Sequence, residues 1–235
     1  MAAVKTPIRI EIWSDVVCPW CYIGKRRFER ALVELGGEVE VDVLYRAFQL
    51  DPTASLGKSE PVLNAYAKKF GGEDQARSII ERVTTTAAED GIEFRMDRAL
   101  RSNTLLAHRL IWLAERPDSP VTQSALKERL LQAYFIDGLN IGDPTVLADC
   151  AAQVGFDRQQ VATFLDSDRG RAEVGEQINQ AAEMGVTAVP TYVVDGRWAI
   201  AGAQDTETFV RLLRQLSDRL AAEQQTGERQ TSDNA

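Results

Sequence analysis

Two cysteines, Cys18 and Cys21, stand at the point where one hydrophobic period gives way to another. Before them Ile8, Ile10 and Ile12 alternate with Arg9 and Glu11, the period of a half-buried strand. After them Ile23, Phe28, Ala31, Leu32 and Leu35 recur at helical spacing until Gly36-Gly37 ends the run. A strand that hands over to a helix at Cys18-Pro19-Trp20-Cys21 puts both thiols in the first helical turn. Pro19 suits that turn, because the N–H it lacks has no partner there. Val39, Val41, Val43 and Tyr45 then alternate as a second strand ending near Phe48, so residues 8–48 predict a βαβ unit with a right-handed crossover.

The spacing of the pair admits zinc binding or redox chemistry. A tetrahedral zinc site needs four ligands, and outside the pair only Cys150 and the single His108 remain, both far along the chain within helical patterns. No metal site is expected. The redox reading uses the position better. At a helix start the unpaired backbone N–H groups and the positive end of the dipole favour thiolate at Cys18. Cys21 follows one turn later, close enough to close a disulfide. Cys18 is therefore expected to be the exposed nucleophile and Cys21 the shielded thiol that resolves the mixed disulfide. Pro19 and Trp20, between the cysteines, are expected in the substrate platform.

Beyond residue 60 the strand signal gives way to amphipathic helices. Ile79, Ile80, Val83 and Ala87 share one face; Leu106, Leu110 and Leu113 another, capped by Ser102 or Asn103; Leu126, Leu130 and Ala133 a third. Asp143-Pro144 opens a helix carrying Leu147, Cys150, Ala151 and Val154, and Val174, Ile178, Ala181 and Ala182 mark one closed by Gly185. Strand signals return at Pro190 to Val194 and Trp198 to Ala201 around an Asp195-Gly196 turn, and Phe209, Leu212, Leu213, Leu216 and Leu220 mark a closing helix. The expected architecture is α/β, with residues 1–60 and 186–222 forming one discontinuous domain. Residues 61–185 form an all-helical insertion with its own small core, and residues 223–235 a disordered polar tail.

The 27 basic and 35 acidic residues leave a formal charge of −8, which argues against a general nucleic-acid binder. No apolar run approaches the roughly 20 residues of a membrane helix, and charges interrupt residues 8–13 where a leader would need its apolar stretch. A cytoplasmic protein is expected, without nucleic-acid or membrane partners. Three cysteines do not make a disulfide scaffold; Cys150, on an apolar stripe, reads as a buried inert thiol.

Ile12-Trp13-Ser14-Asp15 leading into Cys18-Pro19-Trp20-Cys21-Tyr22-Ile23-Gly24, then Ser102-Asn103-Thr104 with Ala107-His108-Arg109, and Gly185-Val186-Thr187-Ala188-Val189-Pro190-Thr191 carry a resemblance from Ile8 to about Leu220. The chain resembles thioredoxin-fold proteins of the DsbA type, in particular the cytosolic FrnE-like subgroup related to 2-hydroxychromene-2-carboxylate isomerases. The resemblance implies a thioredoxin-like fold with a helical insertion. It also implies that Pro190 is a cis-proline opposite the cysteines, that the Val189 backbone pairs with substrate, and that the helix of His108 overhangs the cysteines so that His108 contacts substrate; read from its leucine neighbours alone, His108 is a structural or partly exposed mid-helix histidine.

The function that follows is a thiol–disulfide oxidoreductase, reducing or isomerising disulfides of a protein or small molecule and recycled by a reductant. No bound cofactor is expected; a low-molecular-weight thiol could serve as co-substrate, and Lys25, Arg26 and Arg27 would either attract such an anionic thiol or form a solvated helix face. Two other classes remain. A glutathione-like-thiol-dependent isomerase or transferase tends to carry serine at the first active-site position, whereas this chain keeps both cysteines. A chaperone or biosynthetic accessory would act without them.

Overall fold

A computed structural model describes the backbone of residues 7–232 and the side chains of residues 7–223. The alternation of Ile8, Ile10 and Ile12 becomes β1 (Ile8–Ser14), whose isoleucines are buried. The helical run becomes α1 (Pro19–Leu35), which stops where Gly36 takes a left-handed φ of 55°. The chain returns as β2 (Val41–Ala47), parallel to β1 with Ile8 beside Val41. Two further strands, β5 (Thr191–Val194) and β6 (Trp198–Ala201), complete a sheet of order β2-β1-β5-β6. β5 runs antiparallel to β1 with Trp13 beside Thr191, so chain segments far apart in sequence meet at the end of β1 that leads to Cys18. Asp195 and Gly196, at φ 50° and 66°, make the β5–β6 turn, where both central residues need positive φ.

Each face of the sheet is covered. On one, α1 and α9 (Thr206–Ser232) pack through Phe28, Tyr192 and Phe209, whose ring centroids lie 4.9 to 5.3 Å apart. On the other, Trp13 and Val193 pack with Ala181 of α8 (Arg171–Glu183) and with Val186. The backbone of α9 continues as helix to Ser232, where composition alone reads a disordered tail from residue 223; residues 233–235 lie outside the described residues. Helix formers such as Ala221, Ala222 and Glu223 extend an existing helix without a new nucleus, so a polar composition does not end it.

Between β2 and β5 the chain is mainly helical: α2 (Val62–Phe70), α3 (Glu73–Glu89), α4 (Leu105–Ala114), α5 (Gln123–Phe135), α6 (Pro144–Gln153), α7 (Arg158–Asp166) and then α8. The expected caps are close to those found: Asp143 accepts the N–H of Thr145 at 2.7 Å, whereas the cap before α4 is Thr104, one residue later than read. The periodicity misses α2, α7 and a two-stranded antiparallel ladder, β3 (Ser59–Pro61) with β4 (Leu100–Ser102), all too short to show a period.

A separate core for the helical block does not form. One contiguous buried cluster runs from Ile10 and Ile12 of the sheet through Tyr22 of α1 to Leu126, Leu130 and Phe135 of α5. Tyr22 lies 5.9 Å from Phe94 and 6.0 Å from Phe135, centroid to centroid. The Gln123 side chain of α5 accepts the Tyr45 N–H at 2.8 Å and donates to the Tyr45 carbonyl at 3.3 Å. It thereby occupies the outer edge of β2 as a neighbouring strand would.

Candidate active site

Cys18 is the N-cap of α1, in extended conformation, with Pro19 as the first helical residue. Its N–H donates to the Asp15 carbonyl at 3.4 Å, and its own carbonyl accepts from Cys21 at 3.0 Å and Tyr22 at 3.4 Å. The Cys18 thiol donates to the Val189 carbonyl at 3.6 Å, and the Val189–Pro190 peptide is cis. The helix start and the turn into β5 thus meet at one sulfur. Gly24, one turn past Cys21, makes this approach possible: a β-carbon there would lie 3.1 Å from Pro190 Cγ and 2.7 Å from Tyr192 Oη.

Both thiols are free, and both residues are buried at 3% exposure. The expectation of an exposed Cys18 beside a shielded Cys21 is corrected here, because the Val189–Pro190 segment closes over the helix start. Position and environment separate the two instead. Burial pushes the Cys21 thiol well above the ordinary cysteine range; hydrogen bonding to Cys18 and its charge add to the effect, while Lys127 and the Asp15 amide oppose it. Of the residues between the cysteines, Pro19 is buried, so Trp20 alone, at 36% exposure, offers platform surface.

Asp15 and His108 lie buried next to the pair, and Lys127 is a buried cation against the Tyr45 ring. Asp15 accepts the Leu50 N–H at 2.8 Å through one carboxylate oxygen, and the other lies 3.2 Å from His108 Nε2. His108 is buried, and its ring nitrogen faces Asp15. Lys127 of α5 is 1% exposed, and its ammonium nitrogen has no hydrogen-bond partner. Tyr66 of α2 and Tyr134 of α5 are within electrostatic reach of Cys18; burial, then Cys18, pushes Tyr66 up to about 12.

The basic run after the pair is neutralised by a carboxylate of α1 itself and by carboxylates of the helical block. Lys25 pairs with Glu29 at 2.6 Å and Glu128 at 2.8 Å, Arg26 with Glu128 at 2.8 Å, and Arg27 with Asp90 at 2.7 Å. These pairs fasten α1 to α5 and to Asp90 at the end of α3. Cys150 lies in the core on α6, and burial raises its thiol pKa.

Residues 9–214 match the family model of the DSBA-like thioredoxin domain. The chain belongs to that family. It is 34% identical to a probable DsbA oxidoreductase from Streptomyces coelicolor, with a TM-score of 0.81 over 88% of this chain and 89% of that one. The uncharacterized protein YwbO of Bacillus subtilis is 29% identical over 209 residues, 88% of this chain and 96% of YwbO. A 2-hydroxychromene-2-carboxylate isomerase shares the fold at 16% identity and a TM-score of 0.63, covering 97% of this chain and 99% of its own. The cytosolic disulfide reductase DsbM from Pseudomonas aeruginosa shares it at 17% and 0.58, covering 93% and 99%.

Within this DsbA-like domain the strand-to-helix change marks Cys18 and Cys21, the resemblance points to Val189 and Pro190, and neither reveals Lys127. Lys127 carried a readable signal, since Lys127, Leu130, Leu131 and Tyr134 share one buried stripe of α5 and a lysine there is out of place. Gly24 inside a helix was a second such mark. Asp15 in its singular role gave none, because an aspartate after a strand is ordinary.

Proposed function

We propose that this protein is a cytoplasmic thiol–disulfide oxidoreductase that reduces or isomerises substrate disulfides through a mixed disulfide at Cys18. The observation that carries this reading is the seat of Cys18: it is the N-cap residue of a helix, its thiol lies 3.6 Å from the Val189 carbonyl, and a second free thiol follows one turn along. A substrate disulfide that displaces the Val189 contact meets the Cys18 sulfur. Cys18 thiolate then attacks one substrate sulfur, the other leaves as thiolate, and Cys21 attacks Cys18 to release the second as thiol.

Trp20 supplies apolar surface beside the entrance, and the backbone around Val189 supplies polar groups for an extended partner. The substrate is a disulfide-bearing protein or small molecule, and a low-molecular-weight thiol is the simplest reductant to return the pair to its dithiol form. Direction follows from the compartment, since a reducing thiol pool holds such a pair as the dithiol. Insulin reduction by the wild type and by Cys18→Ser tests the reading: the variant should lose the activity, and equal rates would overturn it.

A further inference from the structure

The Val189 carbonyl reaches Cys18 from residues 186–190, a segment that belongs to no helix or strand. Three hydrogen bonds anchor it. The Val186 N–H donates to the Ala181 carbonyl, the Thr191 hydroxyl to the Ala188 carbonyl and the Gly202 N–H to the Pro190 carbonyl, each at 2.8 Å. None of the three is at Val189. Its carbonyl receives the Cys18 thiol, and its side chain rests on something else: Trp13, Ala181, Val186 and Val193 form a buried cluster apart from the main core, and Phe48 and Val189 pack against it.

Trp13 is the largest member of that cluster and is 0% exposed. Hydrogen bonding does not explain its presence, because the indole N–H is buried without a partner, which costs stability rather than adding to it. What the ring supplies is volume. β1 presents it beside Thr191, so it fills the space between the sheet, Ala181 of α8 and the segment that ends at Pro190. α8 has little freedom to withdraw from it, since the Gln177 side chain accepts the Ala47 N–H of β2 at 3.0 Å.

We propose that Trp13 is a positioning residue: it seats Val189 so that its carbonyl meets the Cys18 thiol, and thereby biases the pair toward its dithiol form. The proposal rests on reading Cys18 and Cys21 as the redox pair. The bias follows from when the contact exists. Cys18 can donate to Val189 only while it carries a proton, and in a Cys18–Cys21 disulfide that donor is gone. Seating the carbonyl in advance removes an ordering cost from the dithiol form alone. In exchange with glutathione disulfide, the Cys18 and Cys21 thiols are oxidised to their internal disulfide while the reagent's S–S bond is reduced, and the two protons pass to the two glutathione thiols. A looser seat should move that equilibrium toward the protein disulfide.

The test equilibrates the full chain with mixtures of glutathione and glutathione disulfide and counts free thiols by mass after denaturing alkylation. Three labels mark the dithiol form and one, on Cys150, the disulfide form. Trp13→Leu underfills the seat and should shift the equilibrium about two- to five-fold toward the disulfide, the net worth of a weak hydrogen bond. Trp13→Phe keeps a ring without the unpartnered N–H and should fall between Trp13→Leu and the wild type. Val161→Ala removes buried volume from the main core on α7 instead, and should leave the equilibrium unchanged. Val186→Ala loosens the seat from the segment's own side and carries the test if circular dichroism shows Trp13→Leu unfolded. A wild-type equilibrium in the folded variant overturns the inference alone, as does an equal shift in Val161→Ala, which would make the effect one of general destabilisation. A wild-type chain that keeps three labels at every glutathione ratio overturns the redox reading and the inference with it.

Discussion

Gly24 lies against Pro190: a β-carbon at residue 24 would sit 3.1 Å from Pro190 Cγ, and 2.7 Å from the Tyr192 hydroxyl. The helix that carries both cysteines therefore touches the strand segment that faces them at the one residue type small enough to allow it. Gly24→Ala should gain roughly 1 kcal/mol of helix propensity and lose about 1–3 kcal/mol to overpacking. The loss should win, because Tyr192 is held between Phe28 at 5.2 Å and Phe209 at 4.9 Å and has little room to yield. Urea denaturation should show a net loss of up to about 2 kcal/mol, with disulfide reduction reduced as the segment is pushed from Cys18. An unchanged midpoint would mean that the neighbours give way freely.

Cys21→Ser separates attack from resolution. With Cys18 intact and no second thiol one turn along, exposure to an oxidised substrate should leave a covalent adduct on Cys18, about one per chain, while multiple turnover falls to near zero. Intact-mass analysis without reductant reads the adduct directly. Turnover at the wild-type rate would show that Cys21 is not the resolving thiol.

How far the sequence reveals such a site depends on whether a residue's role is local. Cys18, Pro19 and Cys21 owe their placement to a change from strand to helical period, which shows in neighbouring residues. Pro190 became informative through its resemblance, since the 171-position separation between Cys18 and Val189 closes only when β5 joins β1. The burial of Cys18 was not legible for the same reason: what covers it comes from the other end of the chain. Asp15, His108 and Lys127 converge from a turn, α4 and α5, and no spacing rule links them. The separate core expected for the helical block failed on Tyr22, an α1 residue whose ring is shared with Phe94 and Phe135.

Asp15 should prove a structural residue as well as a neighbour of the pair. It is fully buried, and its carboxylate serves the Leu50 N–H and His108 together. Asp15→Ala leaves the buried His108 imidazole, and the Leu50 N–H at the edge of the site, without that partner and should cost about 1–3 kcal/mol. Asp15→Asn keeps an oxygen for Leu50 and an amide for His108, and should cost about 1 kcal/mol. Equal urea midpoints for Ala and Asn would remove the carboxylate's role in holding this turn.

Glu128 gives a stability effect whose pH dependence has a definite sign. It accepts from Tyr22 Oη at 2.7 Å, Lys25 Nζ at 2.8 Å and Arg26 at 2.8 Å, joining α1 to α5. Burial alone would raise its pKa, but Lys25, the Tyr22 hydroxyl and Arg26 together hold it below the ordinary glutamate range. A carboxyl with a native pKa below its unfolded value binds protons more readily when unfolded, so its stabilisation is full above the ordinary value of about 4.3 and is lost as pH falls through the native value. Glu128→Gln should therefore cost about 1–2 kcal/mol at neutral pH, mostly through buried Lys25, since Arg26 is one-third exposed and screened. The gap between wild type and variant in urea titrations should hold from neutrality to about pH 5 and narrow below about pH 4. A gap constant down to pH 3 would mean that Glu128 acts through shape rather than charge.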